Sequence, residues 1–190
     1  MRRSAAIDVV MRPASLNDSA RLLAWRNLPQ IRRWMYTDHE ISQAEHDAWY
    51  AKALADPSRR YWVVELDGAP VGLANLADID ATTRRATWAY YLAEERVRGR
   101  GIGAFVEYWM IEQVFTGLGL AKLWCEVLVD NEPVWKMHEK FGFVREALFR
   151  RHALKSGELV DVVGLGLLAE DWAAIRDASR ERLGARGFPV

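Results

Sequence analysis

An internal disulfide and a four-cysteine metal site are excluded at once, because the 190-residue chain has a single cysteine, Cys125. So low a thiol count carries a reducing, cytoplasmic setting as the default expectation. Net charge is missing as well. Lys+Arg and Asp+Glu stand at 26 each, so there is no general basic field of the kind that holds a protein on nucleic acid, and no such partner is expected. No apolar run approaches membrane-spanning length, so a soluble protein without a membrane partner is expected. Met1-Arg2-Arg3 begins like the n-region of a signal, but the stretch from Ser4 to Val10 contains Asp8 and is too short and polar for an h-region. Repeats, linkers and low-complexity stretches are also absent. What remains is one α/β domain over residues 1–190, with a core at about 7–172 and a C-terminal helix and tail at 170–190.

Tryptophan, by contrast, is abundant: nine residues, a surplus that can line a pocket for flat rings as well as stiffen a core. The chain is organised around Arg96-Val97-Arg98-Gly99-Arg100-Gly101-Ile102-Gly103. Three glycines at alternate positions let the backbone turn sharply and bare its amides. A helix starting near Gly101 would aim its unpaired N–H groups and positive dipole end into the turn, which suits a phosphate. The arginine forks suit the same oxygens. A solvated turn that merely starts a helix is the alternative, as is a basic RNA-binding loop; zero net charge and the apolar helix that follows argue against the latter.

In chain order, Ile7 to Met11 reads as a strand ended by Pro13. Asn17 or Asp18 caps a helix with Leu22, Leu23 and Trp25, closing near Asn27-Leu28-Pro29. The aromatic and charged segment from Ile31 to Glu40 has no clean period and reads as a functional loop or an aromatic flap on the core. Ser42 and Glu45 form a capping box for a helix to about Leu54 that carries His46, Trp49 and Tyr50. Tyr61–Leu66 and Val71–Leu76 are strands of a hairpin turning at Asp67-Gly68. A strand from Ala86 to Ala93 feeds the glycine turn, and the buried helix from about Ile102 to Phe115 follows.

The strand Lys122 to Val129 puts Leu123, Cys125 and Val127 on one face and Trp124, Glu126 and Leu128 on the other. Glu126 is then a lone carboxylate on an apolar face, either a general base or an ion-paired structural residue. Asp130 or Asn131 caps a helix whose stripe is Val134, Met137, His138 and Phe141. His138 is either a core residue or a catalyst. Strands Phe143–Phe149 and Val160–Leu168 follow, the second buried on both faces, and a charged helix from about Glu170 to Leu183 ends the pattern.

Arg98 to Gly103 after a strand, Leu123 to Val127, and Asn131 to Phe143 together resemble the acetyl-CoA-binding core of the GNAT N-acetyltransferases. The resemblance implies a mixed sheet splayed between the strand ending near Leu92 and the strand of Glu126. Acetyl-CoA would lie in the opening, its pyrophosphate on Arg98 and the Gly99, Arg100, Gly101, Ile102 and Gly103 turn, with Tyr91, Leu92 and Asn131 also at the cofactor. A main-chain N–H around Tyr90 to Leu92, on the family's bulged strand, would polarise the acetyl carbonyl. Glu126 would deprotonate the amine through a water. His138 would protonate the leaving thiolate where the family usually has tyrosine, with Tyr90 and Tyr91 as substitutes. No metal is implied.

In the first half, Trp25-Arg26-Asn27, Trp34-Met35-Tyr36, Ile41-Ser42 with Glu45-His46, and the later Asp161-Val162-Val163 resemble the N-acetyltransferases of the pseudaminic acid pathway. That likeness implies as acceptor the 4-amino group of UDP-4-amino-4,6-dideoxy-N-acetyl-beta-L-altrosamine, a precursor of a sugar placed on flagellin. Met35, Tyr36 and Trp49 would wall the base, Arg26 and His46 would meet the diphosphate or sugar, and Tyr90 would touch the acceptor. A protein or peptide N-terminus is the alternative acceptor, and a non-catalytic acyl-CoA-binding module the alternative of another class. The expected assembly is a monomer or homodimer.

Overall fold

A computed structural model describes residues 6–190; Met1-Arg2-Arg3 and Ser4 lie outside them. One seven-stranded mixed sheet runs in the order β1-β2-β3-β4-β5-β7-β6, with helices on both faces. Strand β1 (Val9–Pro13) sits at one edge, which is why Pro13 can occupy its last position rather than end it earlier. Helix α1 (Ser19–Asn27) follows a short 3-10 turn at Leu16–Asp18. Asp18 does not cap α1 with its side chain. Its carboxylate instead accepts the Ser15 N–H at 2.8 Å and both Arg12 Nη atoms at 2.9 and 2.7 Å. Arg12 in turn donates to Glu65 at 2.7 Å, which ties β1, the turn and β2 together. Pro29 opens a second short helix, α2 (Pro29–Arg32), instead of closing the first, since proline is well suited to the N1 position.

Helix α3 (Gln43–Ala55) starts at Ser42, whose Oγ accepts the Glu45 N–H at 3.2 Å. Glu45 does not complete the box; it meets His39 at 3.0 Å. Strands β2 (Arg60–Leu66) and β3 (Ala69–Asp80) turn through Asp67 and Gly68, both at positive φ, as a two-residue hairpin requires. Strand β4 (Arg85–Leu92) leads to a 3-10 turn at Glu95–Val97 and then to α4 (Ile102–Glu112), whose N-cap is Gly101 at φ 82°. Helix α4 passes into a π turn at Gln113–Gly117.

Strand β5 (Lys122–Leu128) precedes α5 (Glu132–Lys140). Strands β6 (Val144–Lys155) and β7 (Glu158–Leu168) form a hairpin longer than the sequence pattern suggests. Both faces of β6 are largely exposed at the sheet edge, so burial imposes no alternation on it. Its mate β7 is buried from Val162 to Leu167. Helix α6 (Ala169–Gly184) is followed by a tail whose Phe188 is buried and stacks on Phe105 at 5.6 Å. No helix of the described residues is long and apolar enough to cross a membrane.

The site depends on one break in the sheet. β4 and β5 are parallel neighbours only from Arg85 to Thr87 and from Lys122 to Trp124; beyond these the strands separate. Residues 88–92 therefore keep a main-chain edge with no ladder partner. The Ala93 N–H bonds Val71 O at 2.8 Å, so by antiparallel alternation the N–H groups of Tyr90 and Leu92 face the gap. No bulge falls at Tyr90 to Leu92, where the resemblance implied one. The β3–β4 register is continuous from Gly72–Leu92 to Ala77–Thr87, and the irregularity lies between Ala77 and Asp80, with Asp78 at φ 50°. Separation from β5 thus frees the edge of β4 without a bulge there.

Candidate active site

A cleft of about 580 Å³ runs through the gap between β4 and β5. Its walls are β4 from Thr87 to Ala93, β5 from Trp124 to Leu128, the segment from Gln30 to Tyr36, and Asn131, Val134 and His138 at α5. The two carboxylate and imidazole candidates reach it from opposite faces of the sheet. Glu126 belongs to the face covered by the Trp34–Tyr36 segment, where the Tyr36 hydroxyl donates to its Oε2. Among the described residues no cation lies within ion-pair distance of Glu126, so the reading of it as an ion-paired structural residue lacks its partner. Burial and Glu126 together push the Tyr36 phenol well above the usual range, so it stays a donor.

His138 belongs to the other face. It is buried against Trp88 and Phe143, and its Nδ1 lies 2.9 Å from Oε1 of Glu107, a fully buried carboxyl inside α4. Burial acts to lower the imidazole, but the charge and hydrogen bond of Glu107 and the neighbouring Cys125 thiol together outweigh it and lift the ring to about 10. Burial lifts the Glu107 carboxyl as well. Both shifts mean that the pair keeps its shared proton at neutral pH. Glu107 escaped the sequence reading, although an acid in the middle of the most apolar helix, flanked by Val106 and Tyr108, was a visible signal.

At the glycine turn the arginines divide. Arg100 contacts Asp67 at 3.3 Å, and Arg96 donates to the Leu66 and Ala69 carbonyls at 3.3 Å, so both pin the turn to the β2–β3 hairpin. The Arg100 side chain is thereby directed to the hairpin, which leaves only its main-chain amide to the turn. Arg98 is exposed, has only a loose contact of 3.7 Å with Glu95, and lines the cleft. Gly99 and Gly101 sit at φ 73° and 82°, a region that penalises side chains, and a Cβ at Gly103 would meet the Tyr90 hydroxyl at 3.1 Å. A Cβ at Gly101 would meet the Arg186 guanidinium at 2.5 Å, which places a second arginine over the start of α4. Bare amides, a helix N-terminus and arginine forks are the donor set that a pyrophosphate fits. Asn131 makes no side-chain cap bond and lines the cleft, as do Tyr90, Tyr91 and Leu92.

Of the acceptor residues expected, Met35 and Tyr36 line the cleft, whereas Arg26, His46 and Trp49 do not. Helix α3 turns these last two toward α1 and β2. His46 is buried and stacks on Tyr50 at 5.3 Å, burial holding it below the usual histidine range, and Trp49 lies edge-on to Tyr61 at 6.0 Å. Arg26 is half-buried, and its Nη1 has no hydrogen-bond partner among the described residues. Asp161 accepts the Arg151 N–H at 2.7 Å. The sequence reading did not single out Arg33, whose guanidinium lies 4.6 Å above the Trp34 ring at the cleft. It also overlooked Lys155 at the end of β6. That ammonium donates to the Met35 carbonyl at 2.7 Å and pairs with Asp38 at 2.7 Å, fastening the 34–38 segment to the far hairpin.

The split sheet with a glycine turn at the mouth of its gap has a counterpart among known proteins: the family model described as the acetyltransferase (GNAT) domain matches residues 8–144. The chain belongs to the GNAT acetyltransferase family. It is accordingly an acetyl-CoA-dependent N-acetyltransferase. Spermidine N(1)-acetyltransferase of Escherichia coli K12 is 25% identical over 170 residues, 90% of this chain and 91% of that one. The L-amino acid N-acetyltransferase AaaT of the same organism is 31% identical over 118 residues, 60% of this chain and 72% of that one. In fold, the GNAT domain matches the crystal structure of spermidine N-acetyltransferase from Vibrio cholerae in complex with CoA and spermine. The TM-score is 0.81 at 23% identity, over 87% of this chain and 98% of that one. These relatives lend no support to a nucleotide-sugar acceptor.

Proposed function

We propose that this GNAT enzyme acetylates the primary amine of a small molecule by direct transfer, with Glu126 and His138 serving the two ends of the reaction. The observation that carries the reading is their placement on opposite faces of the β4–β5 gap, with the free N–H groups of Tyr90 and Leu92 between them. Acetyl-CoA supplies the acetyl group as a thioester. Arg98 and the amides from Gly99 to Gly103 hold its pyrophosphate. The Tyr90 or Leu92 N–H donates to the acetyl oxygen as charge develops there, an interaction that strengthens toward the transition state. Glu126, oriented by Tyr36, takes a proton from the acceptor ammonium through a water. His138 returns a proton to the sulfur.

The acceptor enters past Ile31, Trp34, Met35 and Tyr36, so a compound with a flat or apolar body beside its amine suits the wall. A nucleotide-linked amino sugar keeps Met35, Tyr36 and Arg33 as contacts but lacks Arg26, His46 and Trp49, which weakens that more specific reading. A polyamine is the second reading, favoured by the carboxylates of Glu126 and Glu94 in the same cleft and by the activity named for the spermidine relatives. A mass-resolved assay with acetyl-CoA, a 4-amino UDP-sugar, spermidine, amino acids and a peptide with a free N-terminus tests this. Acetylation of one small amine is expected, and acetylation of the peptide alone would overturn the proposal.

A further inference from the structure

The reaction as described uses His138 but leaves unexplained why a carboxyl group is buried beneath it. Glu107 is fully buried within α4, among residues that otherwise form the main core, and a buried carboxyl costs stability unless something compensates it. Only half of it is compensated: Oε1 meets His138 at 2.9 Å, while Oε2 has no hydrogen-bond partner among the described residues. The arrangement costs more than an alanine or leucine at this position would.

We infer that Glu107 is a positioning residue, which fixes the His138 ring through Nδ1 so that Nε2 always presents a proton toward the cleft. The tautomers require it. If the shared proton sits on nitrogen, Nδ1–H donates to the Glu107 carboxylate and the ring is an imidazolium with Nε2–H. If it sits on oxygen, the neutral Glu107 carboxyl donates to Nδ1, and the neutral ring must again carry its own hydrogen on Nε2. Both forms are therefore competent acids. When the Nε2–H bond breaks and an S–H bond forms on the departing thiolate, the ring is left neutral, with Nδ1–H on an ionised Glu107. From the second form the carboxyl proton passes along the existing hydrogen bond to Nδ1 in the same step; neither form needs a ring flip, and solvent or the proton released by the amine restores the starting state.

Other groups around the ring do not oppose this. The Cys125 thiol on β5 favours the protonated form, and the Tyr90 phenol on β4 is held neutral by burial and by Glu107. Trp88 and Phe143 complete the shell as apolar walls. His138 thus comes with a second residue, on a different helix, that sets its acidity. The inference rests on His138 being the acid, and the experiment separates the two claims.

Nitrogen-15 NMR of the histidine-labelled protein, with kcat and KM measured from pH 6 to 10, provides the test on the native enzyme, Glu107→Gln and His138→Gln. The native ring should keep Nε2–H through pH 9. Glutamine at 107 can still accept the Nδ1–H bond but brings no charge, so the midpoint should fall by about two units or more toward the ordinary histidine value. The alkaline limb of kcat should move with it. At pH 8 a fall of two units amounts to a loss of about twofold and a full return to the ordinary histidine value to a loss of roughly thirtyfold, with KM for acetyl-CoA little changed. An unmoved midpoint and limb in Glu107→Gln, alongside a slow His138→Gln, would overturn the role of Glu107 alone. Native turnover in His138→Gln would overturn the acid assignment and the inference with it.

Discussion

Arg98 and Glu126 make opposite kinds of contact and should fail in opposite ways. Arg98 is the cleft-lining arginine of the glycine turn, and in the proposed reaction its contact with phosphate would be the same before and during transfer. Arg98→Ala should raise KM for acetyl-CoA about tenfold or more while leaving kcat within a few-fold, as steady-state kinetics would record. Glu126, as the proposed base, would act on a proton. Glu126→Gln should cut kcat most at low pH, where the acceptor amine is most fully protonated, by about 10² or more. A parallel drop at every pH would count against it as base. At this scale local placement was legible: the spacing of Gly99 and Gly101 marks the turn where both sit at positive φ, and strand alternation puts Glu126 on the face opposite Cys125. The sequence was silent on pairings across elements. Nothing within the helix ending at Lys140 announces that His138 meets an acid 31 residues earlier.

Among the elements, the segment from Trp34 to Asp38 has little regular structure of its own and is held in place by the end of a distant hairpin. The Lys155 side chain, largely buried, bridges the Arg32 and Met35 carbonyls and Asp38, and the Ser156 N–H donates to the same carboxylate at 2.6 Å. Lys155→Ala should therefore loosen the aromatic wall, raising KM for the acceptor several-fold with KM for acetyl-CoA unchanged. Equal effects on both constants would mean that the segment is not an acceptor wall. The sequence could not have shown this anchor, because β6 is exposed on both faces and its charged stretch at Arg150-Arg151 hides the strand from any alternation test. Helix α3 misled for the reverse reason. Its aromatic residues suggested a ligand wall, yet they pack on α1 and β2. On β3, Gly72 is required by the close approach of β4, since a Cβ there would lie 2.3 Å from the Tyr91 carbonyl oxygen. That contact fixes the strand whose opposite edge faces the gap.

For the whole molecule, the order of strands and helices and the place of the phosphate turn could be read from the chain. The separation of β4 from β5 could not, because it is a tertiary event that periodicity does not encode. It is also the feature on which the chemistry depends: a continuous sheet would pair the N–H groups of Tyr90 and Leu92 and put a wall between Glu126 and His138. The most direct test is a crystal structure of the enzyme with acetyl-CoA. The account predicts the thioester in the β4–β5 gap, its carbonyl oxygen about 3 Å from the N–H of Tyr90 or Leu92 and its sulfur on the His138 side. A pantetheine arm lying outside the gap, with both strand edges in water, would contradict it.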